Sequence, residues 1–419
     1  MKKFRKSVVS IIIVLCLLFT LAVPAFAAVD NQKSDYPFIF VHGMLGWGED
    51  SPTEKAINYW GFIGKTDAMD HLRANGEEVY FPNLGSLSSN WDRCCELFAQ
   101  LTGTRVDYGE AHAAKHGHAR YGRDYSGKPC MGEAWDLNSK LNLVGHSLGG
   151  TTIRMFTSLL AYGDAEEQAA SGADCSELFK GGHDDVINAV VTLAAPHNGT
   201  LIANVVRDQY APALMLVMLE NFLSSAKFPL SDTNLDQWGL SNANGITIMN
   251  IAKCMKFVSS KDNSLYDCTI GGAREFNENV KCVDNTYYIS YTAQGVAWSH
   301  SFLGYVACKT MFLPFRVFLP LFKICDGKVI DGVKMQGDWL ISDGLVPVIS
   351  AKYPLGEDAV RFNAAMAGGK LERGKWMYHE TMELTDHFDF CRATGTFGGE
   401  ANYYEFFDNL TAEVNSLPA

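Results

Sequence analysis

The sequence predicts an α/β fold, a mostly parallel central sheet with helices packed on both faces. Three observations predict it. Short apolar runs alternate with helical patterns along most of the chain. Those runs are apolar almost throughout, as strands covered on both faces must be. One of them, Leu141-Asn142-Leu143-Val144, leads into a serine held between glycines and then into a helical stretch.

The chain opens on a segment outside the fold. Lys2, Lys3, Arg5 and Lys6 precede an apolar run over residues 8–23, and Ala25-Phe26-Ala27 follows with small residues. That order reads as a secretory signal peptide over residues 1–27, since the run is short for a membrane span. Residues 28–419 are expected to form one domain, because no Pro- or Ser-rich tract, charge block or repeat divides them. The whole chain carries a formal charge of −12, and losing the four basic residues of the leader brings the mature chain near −16. Such an acidic protein is unsuited to nucleic acid and suited to a soluble life outside the cell. Ten of the eleven cysteines lie beyond the leader, and none has the C-x-x-C spacing of a thiolate zinc site. Export permits disulfides. Cys268 with Cys282 and Cys308 with Cys325 are the plausible local loops, and ten unbridged thiols are the alternative.

The expected strands follow in order. Residues 36–41 (YPFIFV) end at His42-Gly43-Met44-Leu45-Gly46-Trp47, and residues 78–81 (EVYF) form a second. Residues 141–144 form the third, and residues 186–195 (VINAVVTLAA) the fourth, closed by Pro196-His197-Asn198-Gly199. Residues 287–291 (YYISY) form the fifth, and residues 376–384 (WMYHETMEL) read as one more. Ligands of such sheets bind at the carboxyl ends of the strands, where His42-Gly43 and Ser147 fall. Three stretches exceed a minimal sheet: residues 91–130, rich in His and Asp, apolar residues 200–260, and residues 294–341. All three read as insertions on the active-site side.

Gly145-His146-Ser147-Leu148-Gly149, between its strand and the helical residues 150–160, is the nucleophile elbow of an α/β-hydrolase. The glycines let strand and helix crowd together while Ser147 sits in a strained turn, its hydroxyl aimed at substrate. Serine needs a base to take its proton, and a carboxylate to fix that base's tautomer. The fold's chain order is Ser, acid, His. His387 near the chain end is therefore the expected base, with His379 as the structural histidine beside it. Asp326, Asp331, Asp338, Asp343 and Asp358 all qualify as the acid by order, and Asp343, in a turn before Leu345-Val346, has the best context. Backbone amides of Leu148 and Met44 are the expected oxyanion donors.

The chain also resembles the zinc-containing thermoalkalophilic bacterial lipases, relatives of the staphylococcal lipases. The likeness is carried by Ser88-Ser89-Asn90-Trp91-Asp92-Arg93, by Val106-Asp107-Tyr108-Gly109, by residues 111–120 (AHAAKHGHAR) and by Leu235-Asp236-Gln237-Trp238-Gly239-Leu240. The resemblance implies Ser147, Asp343 and His387 as a triad, with Met44 and Leu148 as oxyanion donors. It implies a structural zinc on Asp92, His112, His118 and Asp236, four ligands that leave no open position. Helical spacing alone would instead pair His112 with His116. Gly117 must break the helix for His112 and His118 to reach one ion. The family also binds calcium beyond the catalytic histidine. Asp389 matches one such ligand, but Thr394-Gly395 stands where a second carboxylate and a proline are expected, which counts against calcium. The family's elbow often has Gln where Leu148 stands, a change that spares the backbone donor.

The apolar residues 205–230, including Leu214, Met215, Leu216, Val217, Met218 and Leu219, read as a lid that opens at a lipid surface, with a buried core helix as the alternative. The expected function is secreted hydrolysis of acylglycerols at a lipid/water interface through an acyl-enzyme on Ser147. The alternatives are a carboxylesterase or phospholipase, a metallohydrolase working through the zinc, and a non-catalytic lipid-binding protein.

Overall fold

The structure is a computed structural model, and it describes residues 36–62, 67–209, 234–240, 251–298, 305–308, 311–367, 371–393 and 399–418. Seven parallel strands form the central sheet: β1 (Phe38–Val41), β2 (Val79–Tyr80), β3 (Leu141–His146), β4 (Ile187–Leu193), β5 (Tyr287–Tyr291), β6 (Ala359–Arg361) and β7 (Trp376–Tyr378). Their order across the sheet is β6-β7-β5-β4-β3-β1-β2. The order turns back on itself between β1 and β3, and that is where a site is expected in such a sheet.

Strand residues alternate between two cores, which is why the runs are apolar at every position. Phe38 and Phe40 of β1 pack with Val144 of β3 and Val191 of β4. That face is covered by α1 (Ala68–Ala74), through Met69 and Leu72. Ile39, Val41, Leu141 and Leu143 face the other way, against α2 (Asn90–Thr102). Helices α3 (Glu110–His116), α4 (Leu148–Tyr162) and α5 (Leu201–Gln209) follow along the chain. Ile153 and Phe156 of α4 complete the second core. Burying such a side chain stabilises the fold by about 1.5–3 kcal/mol each. Helix α6 (Leu319–Cys325) belongs to the insertion between β5 and β6, and α7 (Glu400–Asn415) returns Tyr403, Phe407 and Leu410 to the first core.

The expected sheet strands are all present, with shifts at their ends. The elbow helix starts at Leu148, two residues before the sequence pattern suggested, so its first turn abuts Ser147. Residues 376–384 split into β7 and a separate two-residue strand at Met382–Glu383. Strand β6 escaped the sequence reading because only three residues pair and none is buried. No disulfide is formed among the described residues, and neither expected loop is bridged. Cys268 instead packs with Leu148 and Ala203, while Cys282 lies against the second core. The expected signal segment, residues 210–230 of the expected lid and Thr394-Gly395 lie outside the described residues, while residues 205–209 of that lid end α5.

Candidate functional site

Ser147 follows β3 with φ 55° and ψ −128°, a left-handed conformation strained for any residue but glycine. The neighbouring glycines make it possible. A Cβ on Gly149 would lie 2.1 Å from the Val41 carbonyl oxygen, and one on Gly145 would meet the Gly149 backbone at 2.5 Å. The Ser147 amide is held by the Leu193 carbonyl at 2.8 Å. Gly43 approaches Ser147 so closely that a Cβ there would lie 2.7 Å from the serine Cβ.

His387 and Asp343 meet as the chain order predicts. His387 Nδ1 lies 2.7 Å from Asp343 Oδ2, and the His387 amide donates to the Asp343 carbonyl at 3.0 Å. The other carboxylate oxygen, Oδ1, accepts from the amides of Leu345 (2.9 Å) and Val346 (2.7 Å). Both side chains are buried. Their bond occupies Nδ1 and leaves Nε2 as the ring nitrogen not engaged by Asp343. His379 lies elsewhere, stacked on Tyr291 and bonded to Glu413 at 2.9 Å. Phe315, from the insertion at 294–341, sits 6.2 Å from the His387 ring, so that insertion walls the site. Asp386 beside His387 is pushed up to about 7 by burial and by the charges of Asp389 and Asp343.

The loop after β1 is fixed from below. The fully buried Arg93 donates to the carbonyls of Gly85 (2.8 Å) and His42 and to the Thr152 hydroxyl (3.0 Å). His42 Nε2 accepts from the Leu84 amide at 3.1 Å. Met44 follows on this loop and packs against the small cluster of Leu148, Ala203 and Cys268.

A second cluster lies at the start of α2. Asp92, His112, His118 and Asp262 each point one ligand atom inward, all within 4.8 Å of one another. His112 Nε2 is 3.3 Å from Asp92 Oδ1 and 3.3 Å from Asp262 Oδ1, and His118 Nε2 is 3.2 Å from Asp262 Oδ2. A tetrahedral zinc with bonds of about 2.0 Å has ligand–ligand edges of about 3.3 Å. Asp92 Oδ1, both Nε2 atoms and Asp262 Oδ2 are buried without a hydrogen-bond partner, a costly state that a cation relieves. The donor set therefore fits a metal ion. Surrounding bonds orient it: His118 Nδ1 faces the Ala119 carbonyl at 2.9 Å, Gln237 donates to Asp92 Oδ2 at 2.7 Å, and Ser89 donates to Asp262 Oδ1. Gly117, at φ 74°, ends α3 as the spacing demanded and turns His118 back toward His112. His116 stays outside the group, its ring 4.5 Å from His112, and burial pushes it down to about 4.

Asp236, expected as the fourth ligand, is not there. It sits half-exposed at the start of a 3-10 turn and accepts from Arg123 Nε at 2.6 Å. That turn aims Gln237 and Trp238 inward and Asp236 outward. Asp262 takes the place instead, from the polar turn Ser260-Lys261-Asp262-Asn263 ahead of a short helix capped by Asn263. The only signal for it in the sequence was an acid in that turn. Asp389, the expected calcium ligand, is buried and accepts from the Asp386 amide at 2.6 Å.

A doubly covered parallel sheet with a strained serine at a strand end defines the class, an α/β-hydrolase. The chain belongs to the lipase-like C-terminal domain family, whose model matches residues 34–415. It is 35% identical over 374 residues to a lipase of Staphylococcus epidermidis and 34% identical over 366 residues to lipase 1 of Staphylococcus aureus. These matches cover 87% and 86% of this chain but 51% of each relative, so the chain spans about half the length of the curated relatives it matches. Among solved structures it is similar to Staphylococcus hyicus lipase (32% identity, TM-score 0.74, covering 92% of this chain and 97% of that one). It is likewise similar to EstA from Clostridium botulinum (33% identity, TM-score 0.75, covering 92% and 88%).

Proposed function

We propose that this chain is a secreted triacylglycerol lipase that works through an acyl-enzyme. The observation that carries the reading is the 2.7 Å bond from His387 to Asp343 beside the strained Ser147 turn. The lipases among its relatives support the substrate class. In this reading His387 Nε2 takes the Ser147 proton as Oγ attacks the acyl carbonyl carbon. Asp343 holds Nδ1–H and stabilises the imidazolium. The amides of Met44 and Leu148 bind the tetrahedral oxyanion, where preorganised donors contribute about 3–4 kcal/mol each. His387 then protonates the leaving glycerol oxygen, and a water activated by the same imidazole frees the acid.

Asp92, His112, His118 and Asp262 would hold the zinc. Four protein ligands leave no position for water, so the ion supplies stability and no step of the reaction. The leader over residues 1–27 supports export, and no helix of the described residues is long and apolar enough to cross a membrane. The residues from 205 to 230 act as the lid in this reading.

The test is turnover of emulsified triolein and tributyrin against dissolved short-chain esters, for wild type and Ser147→Ala, with metal content measured on the same samples. Preference for emulsions, lost in Ser147→Ala, is the expected result. Preference for dissolved esters makes the protein a carboxylesterase. Turnover that survives Ser147→Ala sinks the mechanism.

A further inference from the structure

One buried chain of hydrogen bonds links the loop after β1 to His387. The Gly43 amide donates to Tyr59 Oη at 2.8 Å. That hydroxyl lies 2.7 Å from His146 Nδ1. His146 Nε2 lies 2.9 Å from the carbonyl oxygen of His387. Tyr59 and His146 are both buried.

The ends of the chain fix its protons. A carbonyl oxygen only accepts, so His146 Nε2 carries hydrogen. Burial first, and then the facing His387 and His42, hold His146 well below the usual histidine range. It is therefore neutral, and its Nδ1 is a bare acceptor. Tyr59 must donate its single proton to Nδ1, which leaves its oxygen lone pairs to accept the Gly43 N–H. The thiol of Cys391, 3.4 Å from Nδ1, closes the pocket, and burial pushes that thiol up, so it adds no charge. Every group in the chain has one orientation, and each bond polarises the next.

We infer that Tyr59 and His146 are positioning residues for the hydrolysis. Neither reaches the ester. His146 carries the nucleophile on its own backbone, as the residue before Ser147, and holds the base through its side chain. Tyr59 extends the same reference to Gly43, the residue before the oxyanion donor Met44. Serine, imidazole and oxyanion loop are thereby spaced from one neutral ring. Neutrality matters too, because the His387 ring lies 4.8 Å from His146 and becomes cationic during acyl transfer. A charged residue 146 would oppose that step. The aromatic packing of Tyr59 on Trp60 and Trp47 does not need the hydroxyl, so loss of the hydroxyl separates positioning from core packing.

The inference rests on the Ser147–His387–Asp343 reading above. The variants are Tyr59→Phe, His146→Leu, His146→Gln and the double variant Tyr59→Phe/His146→Leu, assayed on dissolved p-nitrophenyl butyrate with thermal unfolding alongside. Tyr59→Phe is expected to lower kcat on the order of tenfold with KM nearly unchanged, as misplaced reacting groups do. His146→Leu lowers kcat further. His146→Gln recovers most of it, because an amide both donates to His387 and accepts from Tyr59. The double variant matches His146→Leu, since the chain is already cut. Wild-type kcat in Tyr59→Phe, a defect confined to KM, or additive losses in the double variant would overturn the inference. Should His146→Leu not fold, Tyr59→Phe and His146→Gln still decide. Ser147→Ala runs beside them: turnover in that variant sinks the site reading itself, whereas an inactive Ser147→Ala with a fully active Tyr59→Phe sinks only this inference.

Discussion

Replacing Asp262 by Asn, with Asp236→Asn as its counterpart, tests the metal site at its most informative point. Asp262 faces both imidazoles at 3.2–3.3 Å, whereas Asp236 pairs with Arg123. The Asp262→Asn amide would keep an oxygen in place but remove the charge that, with Asp92, balances a divalent cation. Losing an outer-shell partner of a metal ligand already weakens binding by about 10–100-fold, so removing a ligand's own charge should weaken it by about 100-fold or more. At free zinc about 100-fold above Kd, bound metal stabilises the native state by about 2.7 kcal/mol. A 100-fold weaker site leaves about 0.4 kcal/mol, a loss of about 2.3 kcal/mol. A chain of roughly 390 residues unfolds with an entropy of about 0.8 kcal/mol/K, so the melting temperature falls by about 3 °C. Calorimetry with metal analysis reads both quantities. Asp262→Asn is expected to fall to about half occupancy by zinc and to lose about 3 °C, and Asp236→Asn to keep its zinc. The opposite pattern refutes the assignment of the fourth ligand.

Asp343→Asn is expected to lower kcat on the order of 10⁴-fold, because the amide would present N–H to Nδ1 and force the wrong tautomer. The bonds from the Leu345 and Val346 amides to Oδ1 survive, so unfolding temperature should hardly move, and steady-state kinetics with calorimetry checks both. Gly149→Ala drives a methyl group to 2.1 Å from the Val41 carbonyl and should destabilise the chain by about 3 kcal/mol in denaturant titrations. In metal-free protein, burial opposes charge on His112, but Asp262 and Asp92 overcome it and raise it to about 9. That stabilisation is full below the ordinary histidine value and fades as pH rises through about 9. Zinc must displace the same proton, so its apparent affinity should climb about tenfold per pH unit across that window, which a competing chromogenic chelator measures.

The parts of the molecule that were legible in the sequence are those whose physics is local. An elbow needs glycines at fixed offsets from its serine, and a strand covered on both faces has to be apolar at consecutive positions. Chain order pointed to His387 but left five aspartates open, and Asp343 stood out only by its turn context and by the family resemblance. Asp262 did not, because it arrives in a loop 170 residues after Asp92 and looks like any acid before a helix cap. Asp236 misled because its neighbours are the ones that matter, Gln237 bonding Asp92 and Trp238 packing 5.1 Å from the His118 ring. Tyr59 carries no signal at all in the sequence, since its role depends on two partners that only the fold brings to its hydroxyl.

The unbridged cysteines bear on the conditions the protein tolerates. Burial pushes the thiols of Cys94, Cys95, Cys130, Cys268, Cys282 and Cys391 up. Thiol–disulfide exchange and oxidation proceed through the thiolate, so these sulfurs are kinetically silent while the chain stays folded. No disulfide among the described residues contributes to its stability, so reductant should neither loosen nor rescue it.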